Sequence, residues 1–313
     1  MKLVVTCKQM QAELPRHKAT LEDFGFEILA PSLAGRQQFT ASELVEFSSD
    51  ATAVIAGDDE LSDEFFEGCP ALKVLVRWGI GTDSVDFESA NRHGVTVRNT
   101  PGVFNDEVAD MAMSYVLALA RRTIAIHNEV AGGNWPKIEG ITLSGAGLGV
   151  VGFGGIGRAI ASRALAFGMT VRAVDPFVDP QELEGLGVLH TDFESVCNES
   201  RFVVLACPAT PETFHLVDEG FLASMASDSF LVNVGRGSLV DEKALVAALS
   251  SGSIAGAALD VYEAEPVPMS SGLRHLDNVI FGSHNGSNTR EGVARTSERS
   301  VQVLLESMRG PDR

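Results

Sequence analysis

The chain has 313 residues, 45% of them apolar and 21% charged, enough for two ordinary domains with substantial cores. A formal net charge of −18 argues against nucleic acid or an anionic membrane as a partner, and means that an acidic substrate needs a local cationic anchor. No apolar run reaches the roughly 18 residues of a membrane span. The N-terminus MKLVVTCKQM lacks a signal-peptide plan, and Cys7, Cys69, Cys197 and Cys207 are scattered without metal-ligand spacing. A cytoplasmic protein with reduced thiols and no bound metal is therefore expected.

Residues 1–100 alternate short apolar runs with polar, helix-prone stretches. LVVTC, AVIAG (53–57), VLVRW (74–78) and VTVRN (95–99) read as strands, and Ser42 to Ser48 and Asp63 to Glu67 as helical, which predicts a small α/β domain. After Pro101, the segment Glu107 to Ile126 is apolar nearly throughout and predicts one long helix buried between layers. Gly132, Gly133 and Pro136 then break the chain.

Strand and helix alternate regularly from 148 to 284. The run Leu148 to Phe153 predicts a buried parallel strand that breaks at Gly152, Gly154 and Gly157 and continues as a helix ending near Gly168. This G-x-G-x-x-G spacing permits a tight turn, a close approach of backbone to a pyrophosphate and close helix–strand packing. A second strand, Thr170 to Val174, ends in Asp175, placed to accept hydrogen bonds from a ribose diol. The next residues, Pro176 to Asp179, include no cation for a 2′-phosphate, so NAD is expected over NADP. The further strands FVVLAC, FLVNVG, AGAALDVY and VIFGSH complete a doubly wound parallel sheet, and Thr289 to Met308 predicts a terminal amphipathic helix.

Ligands of open α/β sheets sit beyond the carboxyl ends of the strands. Three chemically useful residues fall there: Arg236 after FLVNVG, a glutamate after ALDVY and His284 after VIFGS. An arginine clamps a carboxylate bidentately, a histidine moves the proton of a hydroxyl that becomes a carbonyl, and a glutamate orients the imidazole. Spacing alone leaves Glu263 and Glu265 as alternatives for the last role. The other histidines fall in helical or loop contexts and read as surface or structural.

Together these stretches resemble the D-isomer-specific 2-hydroxyacid dehydrogenase family, in particular its short phosphoglycerate-dehydrogenase-like members without a regulatory domain. RWGIGTDSVD resembles the family's substrate loop, VRNTPGVFNDEVADMAM its helix-opening motif, and GFGGIG with VDP its NAD fingerprint. CPATPETFHLV resembles the cofactor loop, and VNVGRGSLVDEKAL, ALDVYEAEP and GSHNGSNT carry the arginine, glutamate and histidine. The resemblance implies a catalytic trio of Arg236, Glu265 and His284, with Glu265 chosen over Glu263. It implies NAD contacts at Gly152, Gly154, Gly155, Ile156, Gly157, Asp175, Cys207, Pro208, Thr213, Val234, Gly235 and Asp260. Substrate would meet Ile80 and Gly81 through their backbone N–H groups, as well as Arg236 and His284.

Two Rossmann-like domains are implied: a doubly wound NAD-binding domain over 101–285 and a smaller flavodoxin-like substrate domain over 1–100 plus 286–313. A homodimer through the NAD-binding domains is implied too. Three departures stand out: Gly155 replaces a common arginine or polar residue, Ser283-His284-Asn285-Gly286 replaces a P-H-I-G type motif, and AGDDEL places Asp58 and Asp59 where phosphoglycerate enzymes often carry a basic residue. The last is expected to disfavour a substrate phosphate unless Arg77, Arg98 or Arg290 compensates. The expected activity is NAD-linked interconversion of a D-2-hydroxy acid and its 2-keto acid. The alternatives are a glyoxylate, hydroxypyruvate or phosphite enzyme on the same site, or a non-catalytic, corepressor-like NAD sensor.

Overall fold

The computed structural model describes residues 1–33, 36 and 38–310. In chain order the elements are β1 (Lys2–Val5), α1 (Lys8–Asp23), β2 (Glu27–Leu29), α2 (Ala41–Ser48), β3 (Ala53–Ala56), α3 (Asp63–Gly68), β4 (Val74–Arg77), α4 (Phe87–Arg92) and β5 (Thr96–Arg98). There follow α5 (Asn105–Arg121), α6 (Thr123–Ala131), β6 (Gly147–Val151), α7 (Gly155–Ala166), β7 (Thr170–Val174), α8 (Pro180–Gly185), β8 (Leu189–His190) and α9 (Phe193–Glu199). The chain then runs through β9 (Phe202–Leu205), α10 (Glu219–Ser224), β10 (Phe230–Asn233), α11 (Glu242–Ser251), β11 (Gly256–Leu259), β12 (Val279–Phe281) and α12 (Arg290–Arg309).

The chain divides into two compact units, Met1–Phe104 with Asn288–Arg313, and Asn105–Ser287. In the first, five parallel strands run in the order β2-β1-β3-β4-β5, the flavodoxin-like winding. AVIA of β3 and VLVR of β4 are buried at every residue, as expected for central parallel strands covered on both faces. The core on one side gathers Phe39, Leu44, Phe65, Phe66 and Leu75. Helix α12 closes the unit by packing on α1 and β4, with Trp78 donating its indole N–H to Ser297 at 3.0 Å. Thr289 caps it by accepting the Gly292 N–H at 3.0 Å.

The second unit is a seven-stranded parallel sheet, β12-β11-β10-β9-β6-β7-β8. The strand order reverses between β6 and β9, the topological switch point of a doubly wound sheet. Helix α5 packs on α7 and under β10 and β11, burying Val108, Ala112, Tyr115, Val116 and Leu119.

The single helix expected over Glu107 to Ile126 is instead two. It breaks at Arg122, whose φ of 53° is left-handed, and α6 beyond it buries no residue. Its apolar residues have no core to face, so Ile124 and Val130 stay exposed. Strands β2 and β8 gave no readable apolar run because EIL and LH are short and partly or fully exposed. Helix α1 carries Pro15 and buries only Met10 and Leu21, so its pattern is weak.

Candidate active site

The switch point of the second unit is built from glycines. Gly152 has φ 91°, and a Cβ there would lie 2.6 Å from the Cys207 amide nitrogen, so the turns leaving β6 and β9 touch. A Cβ at Gly157 would strike the Gly152 carbonyl, which is why α7 can start so close to its strand. Gly154 is the N-cap of α7, and nothing lies within 4 Å of the position its Cβ would occupy. That open space in front of helix N–H groups fits a dinucleotide pyrophosphate. Gly155 opens α7 beside Ile156, and a Cβ on it would collide with the Asn105 amide. A side chain there would have to displace the Asn105 amide at the start of α5.

Asp175 ends β7 and accepts from the N–H groups of Phe153 at 2.7 Å and Phe177 at 2.9 Å, which fixes the carboxylate beside the glycine turn. Arg158, the nearest cation along α7, is paired with Glu182 at 2.6 Å. Thr213 locks the loop after β9, accepting from Thr210 N–H at 2.7 Å and donating to the Pro208 carbonyl at 2.8 Å. A Cβ on Gly235, next to Val234, would come within 3.0 Å of the Cys207 carbonyl, so the turn after β10 joins the same group of loops. Burial pushes the Cys207 thiol up to about 11, so it is no nucleophile at neutral pH.

Arg236, Glu265 and His284 all follow strands of this sheet. Arg236 leaves β10 in extended conformation, and its turn is held by Asn233, which donates to the Arg236 carbonyl at 2.8 Å and accepts the Gly235 N–H at 3.0 Å. Asn233 is a site-shaping residue that motif reading missed. Its signal was an amide, 1% exposed, ending an otherwise apolar strand.

Glu265 Oε2 lies 2.8 Å from Nδ1 of His284, and its Oε1 accepts the Tyr262 N–H at 3.0 Å. Both side chains are about one-third exposed, His284 at 34% and Glu265 at 31%. Glu263 instead lies 2.6 Å from the His215 ring, so the two glutamates left open by spacing have different histidine partners. Asp260 accepts from the Tyr115 hydroxyl at 2.9 Å and from the N–H groups of Asn285 at 3.2 Å and Gly286 at 2.8 Å.

In the first unit, Ile80 and Gly81 lie in the turn after β4. Asn99 donates to the Ile80 carbonyl at 2.7 Å, and Thr100 pairs with Gly79 through both side chain and backbone. The acidic pair after β3 differs from expectation. Asp59 is 1% exposed and accepts from the Thr6 hydroxyl, the Phe39 N–H and the Gly57 N–H. Asp58 is exposed but paired with Arg77, which also donates to the Trp78 carbonyl. One bridged carboxylate, rather than two bare ones, remains at that loop. Among the described residues no helix is long and apolar enough to cross a membrane, and no cluster of three His, Cys, Asp or Glu is arranged to hold a metal.

The family model for the D-isomer specific 2-hydroxyacid dehydrogenase NAD binding domain matches residues 113–286. A glyoxylate reductase of Thermococcus litoralis is 39% identical over 261 residues, covering 80% of this chain and 78% of that protein. A D-3-phosphoglycerate dehydrogenase of Methanocaldococcus jannaschii is 36% identical over 275 residues, covering 87% of this chain and about half (52%) of that protein. The crystal structure of D-lactate dehydrogenase from Aquifex aeolicus complexed with NAD and lactic acid superposes with a TM-score of 0.86 at 26% identity, over 99% of this chain and 96% of that one. A glycine-lined switch point open for NAD, an imidazole–carboxylate pair after β11 and β12 of the same sheet and these likenesses converge: the chain belongs to the D-isomer-specific 2-hydroxyacid dehydrogenase family.

Proposed function

We propose that this NAD-dependent dehydrogenase reduces a small uncharged 2-keto acid, such as glyoxylate or hydroxypyruvate, with Arg236, Glu265 and His284 as its catalytic residues. The observation that carries the reading is the 2.8 Å contact between His284 Nδ1 and Glu265 Oε2. NADH, when bound at the glycine turn, would supply the hydride. With Nδ1–H donated to Glu265, the His284 imidazolium keeps Nε2–H to protonate the carbonyl oxygen as it becomes an alkoxide. Glu265, itself steadied by the Tyr262 N–H, holds the ring's tautomer and favours its charged form. Arg236 forks the substrate carboxylate, and the backbone N–H groups of Ile80 and Gly81 are proposed as its further donors.

Two facts favour an uncharged substrate tail over a phosphate. Arg77 is already committed to Asp58 and the Trp78 carbonyl, and Asp58 keeps a carboxylate at the loop surface. Several relatives 36–40% identical carry the name glyoxylate reductase. The test is kcat/KM with NADH for glyoxylate, hydroxypyruvate and 3-phosphohydroxypyruvate side by side. The unphosphorylated acids should be used at least as well. A hundredfold preference for the phosphate would overturn the choice, and NADH binding without turnover of any keto acid would favour the corepressor-like reading. Arg236→Lys should raise KM by about tenfold or more, because an ammonium cannot reproduce the planar fork.

A homodimer through the NAD-binding units is part of the same proposal. Helix α6 buries nothing and leaves Ile124 and Val130 exposed, and one of its faces forms a recess lined by Thr123, Ile126, His127, Val130 and Ala131. Sedimentation should give twice the 33.2 kDa chain mass, and a stable monomer would contradict it.

A further inference from the structure

His284 occupies a conformation that needs support. Its φ of 53° is left-handed, a region uncommon for a residue with a side chain. Support for its backbone comes from Asp260, just after β11. The Asp260 carbonyl accepts the His284 N–H at 2.6 Å, while its carboxylate takes the next two N–H groups, Asn285 at 3.2 Å and Gly286 at 2.8 Å. Three successive amides of the turn thus converge on one side chain and its own carbonyl. The carboxylate is 3% exposed, so its orientation depends on what else it touches.

It touches Tyr115. The hydroxyl at the tip of that buried α5 side chain donates to Asp260 Oδ1 at 2.9 Å. The fit around this contact is closed. A Cβ on Gly282 would collide with both the Tyr115 oxygen and the Asp260 carboxylate, so the turn before His284 lies directly against the pair. On the other side, the Tyr262 hydroxyl shares its one proton between the Leu259 carbonyl at 2.8 Å and the Gly282 carbonyl at 3.0 Å, at the backbone from which the turn departs. Burial and the neighbouring Asp260 charge push the Tyr115 phenol well above its ordinary range, so it stays a neutral donor at any working pH.

We propose that Tyr115 is a positioning residue for His284: its hydroxyl orients the Asp260 carboxylate, which in turn pins the left-handed turn that presents the imidazole. The inference rests on His284 being the acid of the proposed reaction. In this chain the motif around the histidine is Ser283-His284-Asn285-Gly286, without a proline to stiffen the turn, and the clamp supplies the stiffness from beneath.

Tyr115→Phe keeps the ring and removes only the donor. In keto acid reduction its kcat should fall by about tenfold or more, a fraction of the roughly 10²–10⁴ that a placed general acid contributes. KM for the keto acid and Kd for NADH should each change less than threefold. In a His284→Ala background the same substitution should have no further effect on kcat, since it acts through the imidazole. Asp260→Asn, a second probe of the same clamp, should lower kcat at least as much. An unchanged kcat in Tyr115→Phe, or an equal fall with and without His284, would overturn the clamp. Full activity in His284→Ala alone would overturn the underlying catalytic reading instead, so the two failures are distinguishable.

Discussion

The two parallel sheets each reverse their strand order once, and they treat the reversal in opposite ways. In the NAD-binding unit the loops after β6 and β9 are glycine-lined, and Gly154 opens the helix N-terminus onto empty space. In the other unit the reversal lies between β1 and β3, and the chain fills it with its own groups. Thr6 and Gly57, from the loops after those two strands, both donate to the buried carboxylate of Asp59. Cys7 beside them is buried, its thiol pushed up to about 12 by that burial. Winding alone makes a crevice at each sheet. Whether a ligand enters is decided by what stands at the crevice: glycine leaves N–H groups unspent, whereas a buried aspartate spends them internally.

The strongest way to break this contrast is to add one methyl group at the open reversal. Gly152→Ala meets both a left-handed backbone and the Cys207 amide, so NADH affinity should fall by about a hundredfold or more in a fluorescence titration. Wild-type affinity in that variant would show that the turn is not where the cofactor lies.

Removing the plug at the closed reversal should do something different. Asp59→Ala leaves the Phe39 and Gly57 N–H groups without their acceptor, each at a cost of roughly 1–3 kcal/mol. Thermal unfolding should move down accordingly, while NADH affinity stays within twofold. A matching loss of NADH affinity would mean that the two reversals are not separate in function.

A smaller effect sharpens the cofactor's identity. Asp175 holds a carboxylate at the end of β7 with no cation following it, so NAD should bind better than NADP. Asp175→Ala should narrow that preference by about tenfold, on the order of 1.4 kcal/mol. Equal affinity for both cofactors in the unmodified protein would refute the reading.

The features legible in the sequence were those whose signal is local. The strands AVIA and FVVL, and VLVR and FLVN up to their last residue, are apolar runs because both faces are covered, and the glycine turn carries its own spacing. Arg236 and His284 could be placed at strand ends because each follows such a run, whereas spacing left Glu263 and Glu265 open. What sequence did not give was pairing between distant segments. Glu263 and Glu265 are two residues apart, and only the fold sends one to His215 and the other to His284. Asp58 and Asp59 looked like one acidic patch, yet one is a bridged surface group and the other a buried acceptor. The end of the predicted buried helix, Thr123 to Ile126, was read as core because apolar residues alone do not say what they face. Tyr115 and Asn233 were hidden for a related reason: each sits in an apolar stretch, and its polar atom matters only through a residue the sequence places elsewhere.

The central claim is that Glu265 keeps His284 charged for proton delivery during reduction. It is tested most directly by the pH profile of kcat for 2-keto acid reduction in Glu265→Gln beside the unmodified enzyme. Without the carboxylate the imidazolium loses stabilisation, so its proton is lost earlier as pH rises and the alkaline fall in rate should begin at lower pH. NADH affinity should be unchanged. Superimposable profiles for the two proteins would contradict the account.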